Sequence, residues 1–407
     1  MPDYDVIITG AGMVGATLAC ALAKRSPARI AVIESTPPGT DLHPSFDDRG
    51  ITLSLSSRRI LTVLGLWNDV VEKNARPVRH IHVTDRGNPG CVRFNARELG
   101  FDALGYVVIA RELGNTLLSN LRQAEGVDVF RPYTVCSVTN ERGQVEVVCT
   151  QGEETRRLSA RLLVVADGSQ SALRSLLEIT LQEKDYLQTA IVANVTVEKP
   201  QADTAYERFT DTGPLALLPL GGDRYVMVLT VPRQEAEKYT MLEDAALLRH
   251  LEERMGGRLG RFARVGKRRS YALRMIKPRE QIRDRIVLLG DSAHALHPNG
   301  AQGLNLCLRD MAELTELLCG QLQSGGDPGS RGLLDRYLAA RLPDQQWAIG
   351  FSDFLPWLFC NQQPVKVFLR NAGMILMDLF PSLQQAFVHR ATGIHGRQPA
   401  MVRDIVI

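Results

Sequence analysis

The sequence predicts an α/β fold, with a parallel sheet flanked by helices, an inserted antiparallel sheet and a helical C-terminal segment. Three observations carry that expectation. The apolar stretch Tyr4 to Thr9 stops at Gly10, and Met13 to Lys24 then carries apolar residues at helical spacing. A second apolar stretch, Arg29 to Glu34, follows, completing the β-α-β pattern of parallel neighbours. Two later buried-strand stretches, Arg161 to Ala166 and Arg285 to Leu289, end in Asp167-Gly168 and Gly290-Asp291. Between them, from about Gln188 to Tyr271, the texture changes to alternating stretches broken by turn signals.

The bulk properties bound the problem. A chain of 407 residues accommodates two domains or one large α/β unit with an insertion, and 44% apolar with 23% charged residues excludes general disorder. The net charge of +3 is small for this length. The basic cluster Lys267-Arg268-Arg269 lacks interleaved aromatics and reads as a solvated strand end, so no nucleic-acid partner is expected. Seven cysteines are dispersed with no C-x-x-C pair, which argues against a disulfide framework or a metal site and fits a reducing cytosol. Met1-Pro2-Asp3 runs straight into the first strand without a basic leader, and no stretch reaches the ~20 apolar residues of a spanning helix. The expected location is the cytoplasm, with attachment to the surface of the inner membrane left open.

Taken in order, Gly126 to Asn140 and Gln144 to Cys149 read as strands around a turn at Glu141-Arg142-Gly143. Ala190 to Val197 and Arg224 to Val231 alternate as strands do, with turns at Gly213-Pro214 and Gly221-Gly222-Asp223 and a helix near Met241 to Met255. A long helix is expected from about Gly303 to Leu322, then a loop from Ser324 to Ser330, then patchy helical character from Leu333 to Thr392. We therefore expect residues 1–75, 101–183 and 281–330 to form one discontinuous domain. Residues 76–100 and 184–280 form an inserted domain, and 331–407 a C-terminal helical segment.

The chemistry starts at Gly10-Ala11-Gly12-Met13-Val14-Gly15, a G-x-G-x-x-G that follows a strand and opens a helix. Alone such a hexapeptide is weak, but here it sits inside a β-α-β unit with Glu34 nineteen residues after Gly15. Gly10 permits the tight turn, Gly12 lets backbone approach a pyrophosphate, and Gly15 lets the helix pack on the strand. The helix N-terminus offers its free N–H groups to the phosphates, and Glu34 can accept hydrogen bonds from adenosine ribose hydroxyls. This is the Rossmann-type arrangement, and it does not by itself distinguish NAD from FAD.

Two further motifs make the distinction. Asp167-Gly168-Ser169, with Arg174 six residues after the glycine, resembles the D-G motif of the flavoprotein aromatic hydroxylases. Gly290-Asp291-Ser292-Ala293-His294 and His297-Pro298-Asn299-Gly300-Ala301-Gln302-Gly303-Leu304-Asn305 are similar to that family's second FAD fingerprint, with Ala301 where glycine is frequent. The resemblance implies a parahydroxybenzoate-hydroxylase-like fold. It places Asp167, Asp291, Gly303, Leu304 and Asn305 at FAD, with Pro298 near the flavin ring. It also puts Arg49, after Phe46-Asp47-Asp48, at the flavin edge, and Arg111 at the phosphate or ribityl region. Each arginine taken alone reads equally as a surface ion pair.

His82 to Gly87, Tyr206-Glu207-Arg208-Phe209-Thr210, Gly213 to Leu220 and Arg390 to Gly393 narrow the resemblance to the ubiquinone-biosynthesis hydroxylases, over nearly the whole chain. That family implies NADPH or NADH as a transient reductant of FAD and O2 adding at flavin C4a. The resulting hydroperoxide passes a hydroxyl to a polyprenylated phenol of the 2-octaprenyl-6-methoxyphenol type. No side-chain nucleophile is needed. His294, His297 and Tyr106 are candidates for phenol deprotonation, and each reads equally as packing. Leu217, Leu218, Pro219 and Val228 are the expected substrate lining, with core packing as the other reading. Trp347 to Cys360 is apolar, aromatic and too short to span; it reads either as a helix packed on the FAD domain or as a dock for a quinone-pathway complex or the membrane surface. Two alternatives stay open: an FAD monooxygenase of another phenolic substrate, and a flavin-binding assembly protein. A halogenase is disfavoured by the lack of W-x-W-x-I, and a prenyl reductase remains a relative of different chemistry.

Overall fold

The computed structural model describes residues 2–37, 49–67, 74–141, 143–359 and 363–404. The chain opens with strand β1 (Tyr4–Thr9), helix α1 (Met13–Arg25) and strand β2 (Ile30–Ile33). Next come β3 (Gly50–Leu53), α2 (Leu55–Val63), β4 (Arg76–Val78), β5 (His80–Asp85), β6 (Cys91–Asn95) and β7 (Gly105–Ile109). Helix α3 (Ala110–Gln123) leads to β8 (Val127–Phe130), β9 (Thr134–Glu141), β10 (Gln144–Gln151), β11 (Glu154–Val165) and the short α4 (Ala172–Leu176). Four long strands follow: β12 (Leu181–Val197), β13 (Thr204–Phe209), β14 (Pro214–Gly221) and β15 (Arg224–Pro232). After them come α5 (Ala236–Met241), α6 (Asp244–Met255), β16 (Phe262–Val265), β17 (Arg269–Pro278), β18 (Ile282–Arg283) and β19 (Ile286–Leu288). Four helices close the chain: α7 (Gln302–Gln323), α8 (Arg331–Phe359), α9 (Pro364–Leu379) and α10 (Pro381–Ala391).

Val6, Ile7 and Ile8 of β1 are all fully buried, so both faces of that strand must be covered. Val6 and Ile8 join a core with α1, α3 and α7, while Ile7 joins a second core with β10 and β11. The first sheet runs β18-β19-β11-β1-β2-β8, and the β9–β10 hairpin is appended to β11. Strand β1 pairs in parallel with both β2 and β11, and β11 in parallel with β19. The carboxyl ends of β1, β11 and β19, each followed by a glycine-bearing turn, therefore lie side by side.

The second sheet runs β16-β12-β15-β14-β13-β5-β6, with β17 also on β12. Its pairings are antiparallel except that of β5 with β13, which is parallel. Its outer face packs Tyr206, Leu217, Tyr225 and Leu229 against Leu247 and Leu251 of α6. Its inner face turns toward β3-β7-β4, a small third sheet, and Ala205, Val226 and Leu220 pack there with Val107. Gly50 on β3 touches this face so closely that a side-chain carbon would collide with Val226.

Several expectations need correcting. The stretch from Gly126 to Asn140 is two strands, β8 and β9, parted at Arg131-Pro132, where proline has no N–H for a ladder. The helix expected near Met241 to Met255 is α6, and the short helix α5 precedes it. Strand β12 begins at Leu181 because its polar first half, Gln182 to Asp185, pairs with β17 rather than looping out. Arg268 is no solvated strand end: it donates to the carbonyl oxygens of Thr240 (3.0 Å) and Leu242 and pairs with Asp244. Phe46 to Asp48, Arg142 and Cys360 lie outside the described residues. Among the described residues no helix is long and apolar enough to cross a membrane.

A buried polar network joins α7 to α8. The Asp310 carboxylate, with its side chain 1% exposed, accepts from Arg341 Nε at 2.5 Å and Gln345 Nε2 at 2.9 Å, and lies 2.6 Å from His294 Nε2. Asp344 in turn pairs with Arg309 at 2.8 Å and Arg341 at 2.5 Å. Burial alone would raise the Asp310 carboxyl, but Arg341 and His294 outweigh it and hold it below its ordinary value. Asp310→Ala leaves the buried Arg341 to Asp344, strips Gln345 and His294 of their shared acceptor, and is expected to cost about 3–5 kcal/mol, as for other broken buried pairs. Urea unfolding of the variant beside the wild type measures this; a loss within ~1 kcal/mol, the range of surface pairs, would show that the network carries little of the stability.

Candidate functional site

The three glycine-bearing turns meet as their strands do. Gly10 has φ +96°, and a side-chain carbon there would collide with the Ala166 carbonyl, so β1 and β11 end in contact only because this residue is glycine. At Gly15 the same substitution would strike the Gly10 carbonyl, which fixes α1 against the end of β1. Gly12 is the N-cap of α1 and supplies no side-chain cap, so the first N–H groups of α1 lack an intrahelical partner and face outward. No acidic residue occupies the first turn. A helix N-terminus of this kind suits a phosphate.

Glu34 is 5% exposed at the end of β2 and accepts N–H groups from Ala11 (2.6 Å) and Thr36 (2.7 Å). It thereby ties the glycine turn to β2. Asp167 accepts the Leu173 N–H at 3.2 Å through Oδ2, and its buried Oδ1 has no hydrogen-bond partner. Burial pushes the Asp167 carboxyl up, against the pull of Ser171 and Leu173. Asp291 lies on a 3-10 turn after β19 with its side chain open to solvent, yet surrounding protein raises its carboxyl, while His294 and Arg49 draw it down. A group both accessible and desolvated lies on the wall of a cleft. Two such carboxylates suit hydroxyl donors of a ribose or ribityl chain.

Arg174 has a role the sequence did not disclose. It is 3% exposed and donates to the carbonyl oxygens of Ser292 (2.9 Å) and Ser169, clamping the turns after β19 and β11 together. The Ser292 hydroxyl adds bonds to Val165 (2.5 Å) and Leu289 (2.7 Å) at the ends of the same strands.

The third turn leads into α7. Gly300 and Ala301 are consecutive left-handed residues, at φ +70° and +52°, and Ala301 is the N-cap of α7 without a side-chain cap. Gly300 has this conformation at no cost, whereas Ala301 holds it under strain of about 1–2 kcal/mol. A side-chain carbon at Gly303 would point into open space, and Gly303 and Leu304 are both partly exposed. Here too a helix N-terminus meets the cleft. Asn305 does not: it is 2% exposed and spends its amide on protein. Its Oδ1 accepts from Ser54 N–H (2.8 Å) and Ser57 Oγ (2.7 Å), and its Nδ2 donates to Thr52 (2.9 Å) and Ala301 (2.6 Å) carbonyls. The Asn305 side chain thereby fixes β3 against the start of α7.

Arg49, at the start of β3, lays its guanidinium 4.8 Å from the Tyr271 ring centroid on β17. Arg111 lies in the first turn of α3, and Pro298 is exposed immediately before Asn299 and Gly300. The groups considered for proton transfer are engaged elsewhere. His294 is held in the Asp310 network, and Tyr106 accepts from Arg58 at 2.8 Å and meets the Trp67 ring edge-on. His297 is buried beside Tyr186, and burial lowers it to about 4, so it stays neutral at physiological pH.

Of the expected substrate-lining residues, Leu218 and Val228 lie on the inner face of the second sheet, partly exposed and packed toward Val107 and Val226. Leu217 is fully buried in the outer core, and Pro219, opposite Tyr225, shares its parity, so neither faces the cleft. Along the inner face Val192, Ala216, Leu218 and Val228 are all partly exposed while their strand neighbours are buried. This apolar, solvent-reached surface meets β3 at Gly50, and β3 is bound in turn to the start of α7 through Asn305. Glu207 of β13 shares that face, between Ala205 and Phe209. Sequence reasoning passed over it, although its parity with Ala205 and Phe209 was readable.

The FAD binding domain family matches residues 3–352. The chain is 33% identical over 399 residues to the uncharacterized protein slr1300 of Synechocystis, covering 98% of this chain and 95% of that one. It is also 33% identical over 389 residues to the ubiquinone hydroxylase UbiL of Rhodospirillum rubrum, covering 96% and 89%. The crystal structure of p-nitrophenol 4-monooxygenase PnpA from Pseudomonas putida superposes with a TM-score of 0.78 over 96% of this chain and 99% of that one, at 19% identity. That likeness supports the fold.

The residues present therefore fit FAD: two helix N-termini without side-chain caps, glycines where a side chain cannot fit, an unpartnered carboxylate oxygen on Asp167 and an exposed carboxylate on Asp291. Asp291→Ala should leave a folded protein that purifies mostly free of FAD, read from the ratio of flavin to protein absorbance. Full occupancy would remove Asp291 from the cofactor site.

Proposed function

Because the chain belongs to the FAD binding domain family, we propose that it is an FAD-dependent monooxygenase that hydroxylates the ring of a polyprenylated phenol in ubiquinone biosynthesis. Bound FAD, reduced by NADPH or NADH, supplies the oxygen-transferring chemistry. The chain's own residues bind, orient and exclude water. Gly10, Gly12, Gly15 and Glu34 would hold the adenosine and pyrophosphate end, with Arg111 toward the phosphates or ribityl chain. Asp167 and Asp291 would hold the hydroxylated chain, and the backbone around Gly303 and Leu304 the pyrimidine end, with Arg49 and Pro298 at the ring. The observation that carries the reading is the apolar, partly open inner face of the second sheet, joined through β3 to the start of α7. Such a face suits the packing of an aromatic ring. The whole-length likeness to a ubiquinone hydroxylase supports a substrate of the 2-octaprenyl-6-methoxyphenol type.

A prenyl tail needs a route from lipid. Helices α8 and α9 expose Phe354, Trp357, Phe368, Leu369, Leu376 and Leu379, at 48% to 71% of their surface. Lys366 Nζ stands 4.1 Å from the Trp357 ring centroid, and Asp378, the acid on α9, is neutralised by Arg93 at 2.9 Å. An aromatic and aliphatic helical face edged by lysine suits the headgroup boundary of a bilayer. On this reading α8 and α9 seat the enzyme on lipid.

Two measurements test these readings. In host cells lacking the gene, mass spectrometry should find a polyprenylated phenol short of one hydroxyl and depleted ubiquinone. Normal ubiquinone in a strain without a redundant hydroxylase would sink the pathway assignment. Purified protein should float with vesicles containing anionic phospholipid, and Trp357→Glu with Phe368→Glu should abolish flotation. Equal recovery of the double variant would place the membrane contact elsewhere.

A further inference from the structure

The middle of the second sheet's inner face is apolar around one charged residue, and the row through it ends at Arg269 on the edge strand β17. In the register row Val83, Glu207, Ala216, Val228, Val192, which crosses β5, β13, β14, β15 and β12, only Glu207 carries a charge. Its side of β13 is settled by its neighbours: Ala205 packs with Val107 of the third sheet, Phe209 stacks on Phe359 of α8, and Tyr206 between them points to the opposite core. The residue is partly exposed, so it faces the solvent-reached surface rather than a packed interior. Among the described residues no cation and no hydrogen-bond donor meets its carboxyl, and desolvation alone sets its proton affinity.

The charged and titratable groups bordering this face are occupied or distant. Asp85 on β5 is bound by Arg370 of α9 at 2.7 Å, and Arg76 on β4 donates to the Leu220 carbonyl at 3.2 Å. Arg49 and Tyr271 stack on each other at the β17 edge, and Arg269 stands opposite Val192 on the same edge strand. An unpaired carboxyl in an apolar cleft costs stability, and such a cost is kept where a ligand supplies the missing partner.

We propose that Glu207 is the polar anchor of the substrate chamber, accepting the hydrogen bond of the phenolic hydroxyl and taking its proton during hydroxylation. This rests on the reading of the enzyme as a phenol hydroxylase. In the step, the phenol O–H bond breaks and the proton joins a carboxylate oxygen of Glu207. The electron pair left on oxygen enriches the ring at its ortho and para positions, where a C–O bond forms with an oxygen atom drawn from O2 at the expense of NADPH, and the proton of that ring C–H is then lost to restore the aromatic ring. The proton on Glu207 then leaves to solvent through the open side of the cleft. Desolvation pushes the Glu207 carboxyl up to about 7, so a base of useful strength is present at neutral pH and disappears below it.

The test uses the full-length, FAD-loaded enzyme with 2-methoxy-6-prenylphenol as probe, reading hydroxylated product per NADPH consumed across pH. In the wild type the hydroxylation rate should fall tenfold per pH unit below about 7. Glu207→Gln should load FAD normally, lose on the order of 100-fold or more in hydroxylation rate, and lack that acidic limb. Glu207→Asp should keep the limb at a reduced rate. A Glu207→Gln enzyme with the wild-type limb would overturn the proposal. Should that variant misfold, the wild type alone decides: it should bind the probe at least tenfold more tightly than the probe's methyl ether, which cannot donate, and equal affinities would overturn it. A wild type that oxidises NADPH but hydroxylates no phenol would instead defeat the underlying function, leaving the two failures distinct.

Discussion

The arrangement depends first on one carboxylate, that of Asp310. It sits on α7 with its side chain almost wholly buried, and it gathers α8 through Arg341 and Gln345, and the turn after β19 through His294. Taking such a charge out of water is costly, and the geometry repays the cost because both carboxylate oxygens are engaged by buried partners. What results is position. The histidine of the Gly290-Asp291 turn is fixed to the helix whose N-terminus forms the far wall of the cleft, so Asp291 and Gly303 hold a constant separation while both remain open to a ligand. Arg174 does the same between the turns after β11 and β19.

The rest of the site follows from where two sheets meet. In the parallel sheet the strand ends converge, so Glu34, Asp167 and Asp291 come from three strands far apart in sequence and lie along one cleft. In the second sheet, alternation divides the strands into a face packed on α6 and a face turned to β3. Gly50 lets β3 come within contact of Val226. That approach, together with Asn305 binding β3 to α7, sets the height of the chamber between flavin site and sheet.

How much of this was legible in the sequence varied with the kind of constraint. Gly10, Gly15 and Gly300 act through backbone geometry, which the residue type itself announces. The parallel strands were visible because each is buried on both faces. Parity on the second sheet was harder. Leu217, Leu218 and Pro219 all look like lining in sequence, yet only Leu218 faces the cleft, because the register against β13 and β15 decides the face. The first half of β12 was missed since its polar residues carry no hydrophobic period. Asn305 lies within a cofactor fingerprint, and the bonds by which its side chain ties β3 to α7 are visible only in the folded chain. Arg174 and Glu207 stood inside the quoted motifs, but the partners of one, and the want of partners of the other, belong to the folded chain.

The stack of Phe209 on Phe359, ring centroids 3.6 Å apart, joins the inner face of the second sheet to the end of α8, whose preceding turn exposes Trp357 and Phe354. One helix end therefore serves as wall to the reaction chamber and as part of the outward apolar surface. If that surface rests on a bilayer, a prenyl tail can keep its far end in lipid while its head reaches the flavin. Each methylene withdrawn into water would cost about 0.8 kcal/mol. An eight-unit tail hauled clear of the membrane would thus face a barrier larger than the folding stability of a typical domain. Sharing a wall removes the extraction step, and turnover becomes a matter of sliding a head group rather than dissolving a lipid.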